Sequence, residues 1–379
     1  MSAVKASLTT TAITVDRKFF AAIGITDDAL FPERESVEGV LSLRGVDNSV
    51  SNAIARVMSI ELPVKALWCE FSGYKMVESK DDFHIPEMIL ARLTMIPLDQ
   101  NCPLDATFEL IINNPHPEMI YVFTGDIKRI GKGGPLPFDK NIQLMTLAAG
   151  RSCMIKDIKV TESAGNIRGM GKFSVANGVA SIVDEDGMTP QDAPYQQYEG
   201  IGTPTTLQNY SAWKVRFTTN GTIEPKNLCI TSCKNIIARI TTVATYISMV
   251  KSIGDVHILD IAEETSTIGN LIMRSALRLY PDISVVFKDE NFSLTITIIS
   301  HDDIKSIYKN IIADVVGIFE VEHAIGKVLS NGFGRAPLLV ERVVVRVAEG
   351  RHHPIHWPAK STTESRWAGR RRCNRPFTT

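Results

Sequence analysis

The sequence predicts an α+β protein built from two similar strand–helix–strand halves, with a mostly β domain inserted in the first half. The main observation is an internal repeat. Residues 40–71, VLSLRGVDNSVSNAIARVMSIELPVKALWCEF, resemble residues 258–287, ILDIAEETSTIGNLIMRSALRLYPDISVVF, in one gap-free register that places Asn52 on Asn270 and Pro63 on Pro281. A second string, KNIIA, occurs at residues 234–238 and again at residues 309–313. Self-similarity of this kind is the signature of a duplicated structural unit.

Each copy of the longer repeat predicts a strand followed by a helix. Apolar residues alternate at the start of each copy, which is typical of a half-buried strand. Side chains that cap helix N-termini come next: Asp47, Asn48 and Ser49 in the first copy, and Thr265, Ser266 and Thr267 in the second. Apolar residues then recur at helical spacing up to Pro63 and Pro281, which end the helices because proline lacks an N–H donor. We expect another strand after each proline, at residues 64–71 and 283–287.

The KNIIA strings lie on two longer predicted helices. A strand-like run precedes each helix, at residues 215–219 and at residues 294–299. One face of each helix is apolar, so we expect these faces to pack together with the helices of the longer repeat. The residues predicted to form this pseudo-dimer core are Ile54, Val57, Ile236, Ile237, Ile240, Ile272, Ile311, Ile312 and Val315.

Each half therefore predicts a strand, a helix, two strands and a long helix, but in the first half about 140 residues separate the middle strands. The expected domains are residues 1–72 with 211–252, an inserted mostly β domain at 73–210, a second-half domain at 253–330, and a tail at 331–379. In the inserted domain we expect a short helix at 86–93 and strands at 106–112, 119–123, 142–147, 153–160 and near the end of 165–183. Residues 1–35 predict only one short element, around 19–25.

Composition restricts the class of protein. Hydrophobic content of 44% and charged content of 22% are ordinary for a soluble globular chain. The sequence shows no apolar run of the ~18 residues needed to span a bilayer and no signal-peptide core, so we expect no membrane association. Six unevenly spaced cysteines indicate a reducing compartment, the cytoplasm or the nucleus.

The tail differs from the rest of the chain in charge. Ten of the 41 Lys and Arg residues lie after residue 330, but only three of the 42 acidic residues do. The preceding residues are therefore acidic overall, which is unfavourable for tracking a nucleic-acid duplex. Two interpretations of residues 331–379 stay open: a basic nucleic-acid-binding arm, or a disordered or non-native extension.

Several of these segments resemble one family. The runs SNAIARVMSIELPVKALWCEF and ARLTMIPLD are similar to the α-like third subunit of eukaryotic RNA polymerase II and its archaeal D counterpart. GNIRGMGKFSV and VRFTTNGTIEPKNL resemble later parts of the same subunit. EETSTIGNLIMRSALRLYPDISVVF resembles the eleventh subunit, archaeal L, through its TxGNL run. The resemblance covers roughly residues 36–328 and matches the fused arrangement of large nucleocytoplasmic DNA viruses.

The resemblance implies both a fold and a function. The halves would form an RNA polymerase α-like dimerisation core related by a pseudo-two-fold axis. The chain would be a non-catalytic platform on which the largest and second-largest subunits and small zinc-bearing subunits assemble, without sequence-specific nucleic-acid contact. It would act in the cytoplasm, in a virus factory or virion, if viral, and otherwise in the nucleus. The alternative function is a stand-alone dimeric regulator or nucleic-acid-binding factor that uses the basic tail.

The sequence offers no convincing catalytic, cofactor or metal site. Many third subunits bind zinc through four cysteines after the IPL segment, where this chain has only Cys102. DEDG at residues 184–187 lacks the spaced third acid of a two-metal site, and we expect a solvated turn. GKGGP at residues 131–135 lacks the Ser or Thr of a P-loop. Cys229 and Cys233 lie one helical turn apart and are expected to be core thiols.

Polar residues repeated at matching positions are the best candidates for docking. Asn52 aligns with Asn270 and Arg56 with Arg274, while Arg92 precedes the IPLD run. Each Arg could project towards a large subunit, since its planar fork binds carboxylates and carbonyls. Alternatively, the Asn side chains only support local helix turns and the Arg side chains are solvated. The two interpretations carry similar weight from sequence alone.

Overall fold

The computed structural model describes residues 5–26, 31, 34–76, 86–131, 135–165, 174–184, 212–290 and 293–328. The chain divides into two units, residues 1–345 and 346–379, and every described residue lies in the first. The predictions for the glycine-rich loop at 166–173, for residues 185–211 and for the tail lie outside the described residues.

The described residues contain six helices and fifteen strands. The helices are α1 (Arg17–Ala22), α2 (Asn48–Arg56), α3 (Pro86–Thr94), α4 (Pro225–Tyr246), α5 (Ser266–Leu279) and α6 (Ile304–Val328). The strands are β1 (Lys5–Ile13), β2 (Ser36–Arg44), β3 (Val64–Trp68), β4 (Tyr74–Met76), β5 (Thr107–Asn113), β6 (Ile120–Phe123), β7 (Lys128–Arg129), β8 (Gln143–Leu147), β9 (Ser152–Ser163), β10 (Ala176–Val183), β11 (Ala212–Thr219), β12 (Lys251–Ile253), β13 (Val256–Ala262), β14 (Ser284–Glu290) and β15 (Ser293–Ile299).

The strands form antiparallel sheets, as expected for an α+β fold. One four-stranded sheet has the order β1-β2-β11-β10, and another has the order β12-β13-β15-β14. A third sheet has the order β3-β9-β5-β7, with β4 also paired to β9, and β6 pairs with β8. Helix α2 contacts α5, and α4 contacts α6. Corresponding strands therefore occupy the same positions in the two four-stranded sheets: β2 matches β13, β11 matches β15 and β10 matches β14.

The two copies of the longer repeat agree in local structure residue by residue. β2 ends at Arg44 and β13 at Ala262, which are aligned positions. The next residue has a left-handed backbone in both copies, with φ of 78° at Gly45 and 59° at Glu263. The helix N-caps then fall on aligned residues: the Asp47 carboxylate accepts the Ser49 N–H, and the Thr265 hydroxyl accepts the Thr267 N–H.

One predicted equivalence between the halves is wrong. We expected residues 64–71 to correspond to residues 283–287, but β3 pairs with β9 in the third sheet, whereas β14 pairs with β15. The strand that holds the position of β14 in the first half is β10, which pairs with β11. After Pro63 the chain enters the inserted segment, where β3 finds its partner β9. It returns to the first sheet at β10.

The helices of the repeat end differently. α5 is regular up to Leu279, but α2 passes at Val57 into one π-helical turn that continues to Glu61. Such turns are rare and often occur at functional positions. Here the turn ends just before Pro63, with the Leu62 N–H donating to the Val57 carbonyl at 2.9 Å.

The described residues bury two hydrophobic clusters. The larger cluster joins the two four-stranded sheets and helices α2, α4, α5 and α6, and the smaller one lies among α3 and the β5, β8 and β9 strands. In the larger cluster Ile54, Val57, Ile236, Ile240, Ile272, Ile311 and Val315 are buried, and Ile237 and Ile312 pack against it partly buried. Among the described helices, none is both long and apolar enough to cross a bilayer.

Candidate functional site

A polar groove of about 370 Å³ lies between α2 and α5. It brings together the four residues that the repeat singled out, Asn52, Arg56, Asn270 and Arg274. The other lining residues are mostly small or polar: Asn48, Ser49, Ala53, Ala55, Ser59, Ile60, Val179, Ser181 and Thr267. No carboxylate lines this groove, so its lining is rich in hydrogen-bond donors and carries positive charge.

The two asparagines bond within their own helices. Asn52 Nδ2 donates to Asn48 Oδ1 at 2.7 Å, and Asn270 Nδ2 donates to the Ser266 carbonyl at 2.9 Å. Both bonds run one turn back towards the helix start. The repeated Asn therefore has a local role in each helix, as one of the two interpretations expected, and the same amides also face the groove.

Arg56 reaches from α2 to the start of α5. Its Nη1 donates to Ser266 Oγ at 3.0 Å, and its Nε lies 3.5 Å from Glu61 Oε1. The side chain nevertheless stays 47% exposed. The guanidinium is thus held in place by two contacts and presents its remaining N–H groups to the groove.

Arg92 lies in a different part of the molecule. It sits near the end of α3 in the inserted segment and is not among the residues that line the groove. Its Nη1 donates to the Leu144 carbonyl at 3.1 Å and so ties α3 to β8. The structure brings four of the five predicted docking residues together and leaves Arg92 apart from them.

A buried ionic cluster beneath the groove was not predicted from the sequence. Glu61, which is 4% exposed, accepts from Arg239 Nη1 at 2.6 Å and from the Thr267 hydroxyl at 2.6 Å. Arg239 also donates through Nε and Nη2 to Glu264, with 3.1 Å between Nε and Oε1. Its Nη2 donates to the Thr265 hydroxyl at 2.9 Å. The end of α2, the middle of α4 and the start of α5 are thereby joined.

The environment of Arg239 stabilises its charge. Burial is the largest influence and lowers its pKa, but the hydrogen bonds and charges of Glu264 and Glu61 outweigh it, and the pKa of Arg239 is raised. Two carboxylates around one guanidinium therefore form a satisfied buried network, which would leave an uncompensated charge if either partner were removed.

A second ionic cluster lies at the other end of the α2–α5 contact. Arg278, on α5, pairs through Nη2 with Asp314 on α6, and its Nη1 lies 3.4 Å from Asp47 Oδ2. Asp314 also accepts from the Ser275 hydroxyl at 2.5 Å. The sequence did carry one signal for both clusters, because Arg239 and Asp314 each lie five residues after the lysine of a KNIIA string.

The remaining sequence-level candidates have structural roles where they are described. Asp184 was expected in a solvated turn, but it is 3% exposed and pairs with Lys214 Nζ at 2.6 Å; residues 185–187 lie outside the described part. Cys229 and Cys233 are buried in the larger cluster. Among the described residues, no three His, Cys, Asp or Glu side chains are grouped so that they could hold a metal ion.

The cysteines of the inserted segment are also buried. Burial raises the pKa of the Cys102 thiol, and this effect exceeds the opposing charges of Arg129 and Lys65. Burial likewise raises the pKa of Cys153 to about 11. Thiolates are the form that binds metals, so these environments favour the protonated thiol instead.

Comparison with known proteins bears on the family resemblance. A protein named DNA-directed RNA polymerase RPB3-11 homolog, from African swine fever virus (isolate Tick/Malawi/Lil 20-1/1983), is 23% identical over 328 residues, which cover 75% of this chain and 86% of the relative. The protein of the same name from strain Badajoz 1971 Vero-adapted is 22% identical over 329 residues with the same coverage.

This chain is a relative of the viral RPB3-11 homologs. The resemblance to a fused third and eleventh subunit is confirmed, and the relatives that confirm it are viral proteins. Their names describe these relatives as homologs of subunits of DNA-directed RNA polymerase. No family model matches the sequence.

Proposed function

We propose that this chain is the non-catalytic assembly platform of a viral multisubunit DNA-directed RNA polymerase. It docks the largest and second-largest subunits and takes up small zinc-bearing subunits. The observation that carries the proposal is the groove between α2 and α5, where Arg56 and Arg274 come from aligned positions of the internal repeat. Such a groove suits carbonyl and carboxylate groups on a partner surface.

The platform in this proposal is a pseudo-two-fold dimerisation core within one chain. The matching strand orders β1-β2-β11-β10 and β12-β13-β15-β14 support it. So do the contacts of α2 with its counterpart α5 and of α4 with its counterpart α6. Each aligned pair of groove residues would then be related by the same axis, which makes one continuous docking surface from two half-sites.

The proposed domains follow from sheet and core membership. We place the start of the inserted domain within β3, before the predicted residue 73, because Val64 and Ala66 belong to the larger hydrophobic cluster and Leu67 to the smaller. The inserted domain ends before Val175, because Val175 belongs to the larger hydrophobic cluster and directly precedes β10. The second-half domain begins near β12, as the predicted boundary at 252/253 suggests. The complex would act in the cytoplasm, in virus factories or virions.

The test is co-expression with the polymerase subunits, followed by affinity capture of this chain and mass spectrometry of what it retains. Arg56→Glu reverses a charge in the groove, and a like-charge contact with a partner costs several kcal/mol. We expect this variant to lose the second-largest subunit. Because Arg56 also contacts Glu61, a second variant, Ser59→Trp, fills the groove without changing charge.

Lys234→Glu is the matched control, since Lys234 is exposed on α4 and is not among the groove residues. Circular dichroism and thermal melting establish that each variant is folded. If both groove variants retain the second-largest subunit as well as Lys234→Glu does, the groove is not the docking site.

A further inference from the structure

The KNIIA repeat places opposite charges at equivalent positions of the two long helices. Lys234 aligns with Lys309, and the same alignment places Arg239 of α4 on Asp314 of α6. Both residues take part in ionic clusters at the contact between α2 and α5. The two clusters are therefore counterparts of one another with the charge on the long helix inverted.

In each cluster one cation binds an acid from each half. Arg239 pairs with Glu61 of the first half and Glu264 of the second. Arg278 pairs with Asp314 of the second half and Asp47 of the first. Arg239 and Arg278 thus each have a carboxylate partner across the contact, and Arg239 also donates across it to the Thr265 hydroxyl.

The longer repeat shows what a pairing of two identical halves would bring instead. Glu264 aligns with Val46, and Thr265 aligns with Asp47. In a pair of first halves, Arg239 would meet valine in place of Glu264, and the buried Glu61 would face Asp47. In a pair of second halves, Arg278 would meet threonine in place of Asp47, and Asp314 would face Glu264. Both like pairs lose a cross-contact partner and gain a like-charge contact.

We propose that the inverted charges at positions 239 and 314 make this contact accept only unlike halves, so that the chain does not pair like with like in a second copy. The reason is that juxtaposed like charges suppress wrong partners in an interface. This inference rests on the pseudo-two-fold pairing proposed above but not on polymerase docking, so its test uses no polymerase subunit.

The test starts from the folded full chain with a protease site inserted after Met249. This position suits cleavage because Met249 lies between α4 and β12, where one half ends and the other begins, and is 64% exposed. Two batches with different N-terminal tags are cleaved and mixed. Urea is raised until isotope-labelled second halves exchange between complexes, so that partners are known to separate. Tandem affinity capture through both tags then isolates complexes that contain two first halves. Their amount is compared with the amount of complexes that contain one first and one second half.

We expect unlike pairs to exceed pairs of first halves by about a hundredfold. Asp47→Asn removes the like charge that Glu61 would meet, and it should raise the fraction of first-half pairs by about tenfold. Asp105→Asn, at an exposed acid of the first fragment away from both clusters, is the matched control and should leave that fraction unchanged. The inference is overturned if first halves of the wild type pair as readily as unlike halves, or if Asp47→Asn behaves like the control.

Discussion

Gly45 and Glu263 hold the same backbone conformation at aligned positions of the repeat, with φ of 78° and 59°. Each lies two residues before a helix N-cap, where the chain turns out of a strand. The left-handed region suits glycine, but it costs about 1–2 kcal/mol for a residue with a Cβ atom. The turn at Glu263 is therefore strained, whereas the equivalent turn at Gly45 is not.

Replacing this residue should stabilise the protein. The Glu263 side chain is exposed, so Glu263→Gly relieves the backbone strain at little cost in packing. We expect the free energy of unfolding in urea to rise by about 1 kcal/mol. Gly45→Ala is the converse variant and should lower it by a similar amount. A loss of stability in Glu263→Gly would show that the turn is not strained at this position.

The glycine of the TxGNL run should be intolerant of even one added methyl group. A Cβ atom on Gly269 would lie 2.8 Å from Phe287 Cδ2 and 2.9 Å from Leu294 Cδ1, because α5 approaches the sheet closely there. We expect Gly269→Ala to lower the free energy of unfolding by about 1–3 kcal/mol. Gly317→Ala on α6, where the added Cβ meets nothing within 4 Å, should raise it by about 1 kcal/mol. Equal effects in the two variants would contradict this account.

Loss of the guanidinium between the two halves should destabilise the chain strongly. Arg239→Met leaves the buried Glu264 without its cation and leaves Glu61 only the longer contact with Arg56, and breaking such a buried pair costs about 3–5 kcal/mol. Arg216→Met, at an exposed arginine on β11, is the matched control and should change stability by no more than about 0.5 kcal/mol. Adding Glu61→Gln and Glu264→Gln to Arg239→Met should recover part of the loss in urea unfolding, and no recovery would argue against an uncompensated charge as its cause.

Alkaline pH should weaken the inserted segment. Burial raises the pKa of Cys153 from 9.0 to about 11, so the unfolded chain loses this proton more readily than the folded one. The stability from this thiol is complete below pH 9 and is lost as the pH rises towards 11. A difference of this size corresponds to about 2–3 kcal/mol. The free energy of unfolding in urea should fall more steeply between pH 9 and pH 11 for the wild type than for Cys153→Ala. An equal fall in the two proteins would show that Cys153 is not the cause.

Local patterns in the sequence were sufficient for most elements of the two halves. The alternation before Gly45 and Glu263, the capping side chains and the prolines predicted β2, β13, α2 and α5, and KNIIA marked α4 and α6. The short helix at 86–93 corresponds to α3. These signals are local, because each depends on a few neighbouring residues.

Features that depend on distant partners escaped prediction. β1 is a Thr-rich, largely exposed strand without a clear apolar alternation, and its place is set by its pairing with β2 and its contacts with α6. The pattern of β3 does not reveal which sheet it joins, since that is decided by β9 almost 100 residues later. Arg239 and Glu61 are separated by 178 positions, and only the inverted charge within the KNIIA repeat pointed to either cluster.

The short connection between α4 and β12, which links the halves, has a consequence for the supply of the two partners and for their response to dilution. Two unlike partners on separate chains must be made in equal amounts, and their association weakens as the protein is diluted. Here the partners are joined through residues 247–250, so they are produced one to one and meet at an effective concentration set by this linker. The folded pair is therefore insensitive to dilution, and no orphan half accumulates.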